Sequence, residues 1–277
     1  MRVFSYREDR IPVAIFTALF VADLAIFAFV DSLLFVALWA ALGLLPKAYI
    51  SAWNHHHQHV ATFRYGLPNR LLELVFALQT GVVGYTWVLH HVLGHHGNYL
   101  DQTRDESRWK RKDGTTMGAL RYTFEVALTA YPRAIGVGLR HRKVLARFVG
   151  MVVLTVAVLA ALLWARPAAA LLLFVLPMVT SLLAVSWATY SHHAGVDSDN
   201  HFEASNNTMH PLYNILTGNL GYHTAHHYRQ GVHWSRLPAL HAKIADRIPK
   251  ERYLPPSFPL SWVMTPRAED VVTAARE

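Results

Sequence analysis

Two pairs of long apolar runs restrict the fold of this chain more than any other feature. Residues 11–30 and 33–53 form the first pair, with Asp31 and Ser32 between them; residues 148–164 and 168–190 form the second, parted by Ala165, Arg166 and Pro167. Each run has about the 20 residues a helix needs to cross a bilayer core. In lipid every backbone N–H and C=O must be satisfied internally, so runs of this kind become helices. Pro167 suits the first turn of one. Composition agrees, with 53% hydrophobic and only 16% charged residues, richer than a usual soluble domain. The basic start leads into a full spanning run without a small-x-small cleavage site, so it reads as a retained anchor rather than a signal peptide. The expected fold is an all-α integral membrane protein. It would be a single membrane domain over residues 1–277, with transmembrane hairpins at 11–53 and 148–190 and polar segments at 54–147 and 191–277.

The stretch 71–89, LLELVFALQTGVVGYTWVL, is ambiguous. It is long enough to span, but a crossing would put the stretches NHHHQH (54–59) and LHHVLGHH (89–96) on opposite faces. Glu73, Gln79, Gly81 and Gly84 also weaken it as a lipid-facing helix. An interfacial or re-entrant helix is expected. Of the 26 Lys and Arg residues, Arg166 lies in a hairpin turn, and the others are read as flanking or following the spans on the opposite side. That is the positive-inside pattern, and it directs the termini and both polar segments to the cytoplasm as a histidine-rich cap. Asp23 inside the first run is a costly intramembrane carboxyl, expected to face other helices.

The 18 histidines gather in a few places. Residues four apart share a helix face, so His55 and His59 can point at one metal. His91 and His95 repeat the spacing with His96 adjacent, as do His223 and His227 with His226 between them. Burying this many imidazoles without partners would leave polar groups unsatisfied, and a metal supplies the partner. There is no cysteine, which excludes disulfides, iron–sulfur clusters and thiolate zinc sites. No histidine is followed by glutamate, so the zinc-protease pattern H-E-x-x-H is absent. Eight or more imidazoles exceed one tetrahedral zinc, and two metal ions are the natural count. Zinc, copper, iron and nickel all accept imidazole.

The boxes H-x3-H (55–59), H-x3-H-H (91–96) and H-x2-H-H (223–227) resemble, in order and spacing, those of the membrane fatty acid desaturase and hydroxylase superfamily. The resemblance implies a non-haem di-iron enzyme with a cytoplasmic histidine cage. Family members use one more histidine after the last span. The stretch TYSHHAGV resembles the corresponding segment of the alkane hydroxylase branch and selects His193, with His192 the alternative. The implied ligands are His55, His59, His91, His95, His96, His193, His223, His226 and His227. Asp101 and Asp105 resemble the acidic residues that follow the second box. A ligating imidazole usually gives its other N–H to a carboxylate, and Asp197, Asp199 and Glu203 are further candidates for that role. The segment VHWSRLPALH resembles the Leu-Pro-rich stretch that closes over the metals. Box spacing departs from the desaturase branch, where the first box is often H-x4-H, and Thr189 stands where animal acyl-CoA desaturases have asparagine.

The resemblance implies two iron ions, O2 as co-substrate and oxidation of an aliphatic fatty acyl chain. Desaturation is the preferred outcome. Fatty acid or alkane hydroxylation and oxidative decarboxylation to a terminal alkene are alternatives, and a membrane metal transporter is the rival from another class. No G-x-G-x-x-G fingerprint is present, so electrons need a separate donor: a ferredoxin, a rubredoxin or a haem carrier. The run RDESRWKRKDG (104–114) would touch anionic lipid heads or dock such a carrier. Arg104, Trp109, Lys110, Arg229 and Trp234 are candidate walls for the substrate. Membrane lipids are expected partners and nucleic acid is not.

Overall fold

The computed structural model describes residues 3–256; residues 1–2 and the end of the expected 191–277 segment lie outside them. The protein is helical, and the described residues contain isolated β-bridges but no strand. Four helical stretches are long and apolar enough to cross a membrane: Arg7–Phe29, Leu33–His59, Arg142–Ala165 and Pro167–His193. They contain helices α1 (Arg10–Phe29), α2 (Leu33–His59), α5 (Arg142–Ala165), α6 (Pro167–Ala170) and α7 (Leu176–His193). Their outer surfaces are apolar: Leu42 is 76% exposed and Trp164 91%, a pattern that lipid tolerates and water does not. The chain divides into two compact units. One contains residues up to Leu89 together with Ala134–Val185, the other His90–Arg133 and the residues from Ser186 onward.

In the first unit the two turns between spans hold each other. Ser32 caps α2 by accepting a hydrogen bond from Phe35 N at 3.3 Å, and Pro167 opens α6. Arg166 donates to Val30 O at 2.7 Å, to Phe27 O and to Asp31 Oδ1 at 3.0 Å. Carbonyls freed at the end of α1 thus receive donors that lipid could not supply.

Asp23 is fully buried and paired. Lys47 Nζ lies 2.9 Å from its Oδ2, and Trp39 Nε1 donates to Oδ1 at 2.9 Å. Lys47 also donates to Leu173 O at 3.0 Å, within the π-helical turn Leu171–Val175. This corrects the charge pattern expected above: Lys47 does not flank a span but sits inside α2. The pairing offsets part of the cost of a lone intramembrane carboxylate.

Helix α3 (Gly66–Thr80) has 15 residues and is not among the spanning stretches. Its buried side includes Leu72, Phe76 and Leu78. Gln79 Nε2 donates to Phe16 O at 3.2 Å, so the helix ends against the middle of α1. Gly81 terminates it with φ +69°, and a Cβ there would stand 2.4 Å from Met178 O; only glycine meets both demands. The following loop is held by polar residues of α2. Asn54 donates to Val82 O at 2.9 Å, and Gln58 Oε1 accepts from Trp87 N at 3.0 Å.

Two small cores lie among the described residues of the second unit. Trp109, Met117, Tyr122 and Val126 pack with Tyr190 and Ala194 around the start of α4 (Ala119–Gly138). Phe202, Ala225, Ile244 and Ile248 form the other, beside α9 (His223–Tyr228) and α10 (Leu237–Ala242). Helix α8 (Pro211–Thr217) lies between Phe202 and Ala225 in sequence.

Candidate metal centre

Histidines of the second box stand on a π-helical segment, Val88–His96. The wider turn of a π-helix brings residues five apart together. His91 Nε2 therefore lies 2.9 Å from His96 Nε2, and His226 Nε2 lies 3.0 Å from the same atom. The i,i+4 pairing of His91 with His95 expected from an α-helix is not what forms. His95 instead joins His193 and His227, all three buried and with ligand atoms within 4.8 Å of one another. The third box is α-helical, and there the spacing holds: His223 and His227, four apart, have Nε2 atoms 3.1 Å apart. His223 Nε2 is also 2.9 Å from His193 Nε2. In the first unit, His55 and His59 share the last turn of α2 with ring centroids 4.7 Å apart.

The hydrogen bonds fix what several of these nitrogens can do. His95 Nδ1 donates to Asp105 Oδ1 at 2.7 Å, and His193 Nδ1 donates to Ala204 O at 3.4 Å. A neutral imidazole carries one N–H, so both Nε2 atoms present lone pairs. Those two Nε2 atoms face each other at 3.2 Å in a fully buried site. Two converging lone pairs repel; a cation between them makes both attractive. Nitrogens about 2.1 Å from one ion and at right angles stand about 3.0 Å apart, so the spacing suits two ligands of one metal. Burial, and then the neighbouring His193, His223 and His95, hold His227 well below the ordinary histidine range. Burial, followed by Arg133, pushes His90 down to about 3. Neutral imidazole is the form that binds metal.

Neighbouring histidines are used differently. His192 engages both nitrogens, Nδ1 with Asn206 O at 3.1 Å and Nε2 with the Tyr213 hydroxyl at 3.0 Å. His57 does the same with Thr62 Oγ1 at 2.8 Å and Glu73 Oε1 at 3.4 Å. Neither has a nitrogen left for a metal. Of the acidic candidates, Asp105 is buried at His95 and is itself held by Ser107 N at 2.7 Å. Asp101 is exposed and bonds Thr103, which lowers its pKa. Asp197 pairs with Lys110 at 2.5 Å, Glu203 accepts from Ser198 and Asn200, and Asp199 is exposed. Trp109 belongs to a core, Trp234 is half-buried, and Arg104 and Arg229 are exposed.

The model of the fatty acid desaturase family matches residues 6–258, nearly the whole chain. The chain belongs to the fatty acid desaturase family. Neither a search of curated proteins nor one of solved structures gave a match. A desaturase-family protein needs its boxes held rigidly, and here residues outside the boxes do part of that. Asn207 Oδ1 accepts from Thr224 N at 3.0 Å and its Nδ2 donates to Thr224 Oγ1 at 2.8 Å, fixing the start of the third box. The same segment supplies the Ala204 carbonyl that orients His193. Sequence reading missed both, because a serine-asparagine run 16 residues before a box has no local signature of its partner. The run of turn-forming residues alone signals a loop.

Proposed function

We propose that this protein is an O2-dependent di-iron enzyme that desaturates a fatty acyl chain, with His55, His59, His91, His95, His96, His193, His223, His226 and His227 as iron ligands. The observation that carries the reading is the pair of lone pairs from His95 and His193 facing each other in a buried site. Family membership supports an oxidoreductase acting on lipid in a membrane. Two bound irons would supply the O2 activation that unactivated C–H bonds require. The chain's own part is to orient the ligands, keep their imidazoles neutral and exclude water. Asp105 fixes the tautomer of His95, and Ala204 O that of His193. Electrons come from a separate carrier: a ferredoxin, a rubredoxin or a haem protein. The histidine boxes and both polar segments face the cytoplasm, in keeping with the single basic residue in the opposite turns.

The H-x3-H-H spacing of the second box favours hydroxylation as the second reading. Cells fed deuterated fatty acids, with and without the protein, distinguish the outcomes: a new double bond is expected, a new hydroxyl would select the second reading, and a terminal alkene would mean decarboxylation. Purified protein should hold two irons per chain. One zinc and no iron after iron-replete expression would overturn the metal assignment. Single cysteines at Arg64 and Asp101 should both react with an impermeant thiol reagent from the cytoplasmic face; labelling from opposite faces would overturn the topology.

A further inference from the structure

The proposed reaction draws electrons from outside, yet the cage is buried. Tyr99 lies four residues after His95, just beyond the π-helical segment, and is itself buried. Its ring centroid is 4.3 Å from that of His227, 6.1 Å from His95 and 6.3 Å from His193, the three histidines of one metal group. Its hydroxyl is hydrogen-bonded to His201 Nδ1 at 2.6 Å, and His201 is exposed. A buried tyrosine hydroxyl requires a partner. A ring present only to fill space beside the cage would be served by phenylalanine. Here the hydroxyl is bound to a side chain that reaches the surface.

We propose that Tyr99 and His201 form the route by which an electron delivered at the protein surface reaches the metal ions, an inference that rests on the di-iron reading above. Electron tunnelling favours bonded and hydrogen-bonded paths over gaps through space. The path here consists of one hydrogen bond and one ring contact between an exposed imidazole and a ligating one. One electron leaves the reduced carrier and one ferric ion becomes ferrous. No bond forms or breaks, and Tyr99 keeps its proton. A carrier docked over His201 would be placed to use the path, and the same residues give the cysteine-free chain a defined inlet.

The absence of cysteine allows a direct test. A ruthenium photosensitiser is attached to a single cysteine introduced by Asp199→Cys, at an exposed position two residues from His201. Flash reduction of the ferric-loaded protein is followed by the loss of ferric absorption, with iron content measured in every variant. Tyr99→Leu should slow transfer by about tenfold or more. Tyr99→Phe, which breaks only the hydrogen bond, and His201→Leu, which also removes the exposed imidazole, should each slow it less, and reduction by dithionite should be unchanged in all three. An unchanged flash rate in iron-replete Tyr99→Leu, or in His201→Leu if both tyrosine variants lose iron, would overturn the route. So would equal slowing with dithionite, which would mark a disturbed centre. Wild-type protein that binds no iron would overturn the di-iron reading first, and the route with it.

Discussion

Two regions of this protein bury polar groups to the same degree and use them in opposite ways. In the first unit, Asp23 and Lys47 neutralise each other, and Trp39 Nε1 and Leu173 O complete their hydrogen bonds. In the second, His95 and His193 use one nitrogen each on Asp105 and Ala204 and turn the other toward a fellow lone pair. The first arrangement is closed, because each charge and donor already has its counterpart within the protein. In the second, a cation between the facing nitrogens would be the counterpart of both lone pairs. Burial alone therefore does not mark a functional site; what marks it is which groups converge there. Adjacent residues repeat the lesson, since His192 spends its nitrogens on Asn206 and Tyr213 while His193 Nε2 faces other imidazoles.

Opening the cage should have the largest effect. His95→Ala or His226→Ala should abolish iron binding and lipid oxidation together while membrane insertion persists, as read by elemental analysis and product profiling. Full activity in either variant would break the ligand assignment. Next comes the closed pair. Lys47→Met leaves a buried carboxylate unpaired and should cost about 3–5 kcal/mol, measured as a lowered unfolding midpoint in detergent. Adding Asp23→Leu should recover most of that loss, and iron per folded chain should stay the same throughout. A Lys47→Met protein as stable as wild type would show that the pair is not buried as described.

Removing the partner that orients His95 tests an intermediate case. Asp105→Asn should weaken iron affinity by about 10–100-fold, visible in competition with a chelator, because the amide no longer holds the imidazole tautomer with a charge. Acid should act later than an ordinary histidine would suggest. His227 is held below its usual 6.5 by burial and by neighbouring imidazoles, so its neutral, metal-binding form persists as pH falls through 6.5. Iron should be retained there and released only at lower pH; release centred on 6.5 would contradict the buried cage. The smallest effect belongs to His192→Gln. Iron content should remain at the wild-type level, with only a modest loss of stability, since both nitrogens of His192 serve the protein.

Much of this was legible in the amino-acid sequence. Apolar runs of spanning length leave the backbone no option but helices in lipid, so the all-α membrane class and the positions of the four long helices follow from composition along the chain. The three boxes pointed to residues that could hold metal, because imidazoles repeated at helical spacing have few other uses. Tertiary structure decided which histidines stand close together. The π-helical turn under the second box rotates His91 toward His96 and away from His95, and no residue pattern in that stretch distinguishes it from an α-helix. It also decided that Asp23 meets Lys47, 24 positions away on another helix, and that Tyr99 meets His201 across 102 positions. Local spacing governs which side chains share a face of one helix. Which faces meet depends on packing between segments distant in sequence, where a one-residue change in the turn of a helix redirects every side chain beyond it.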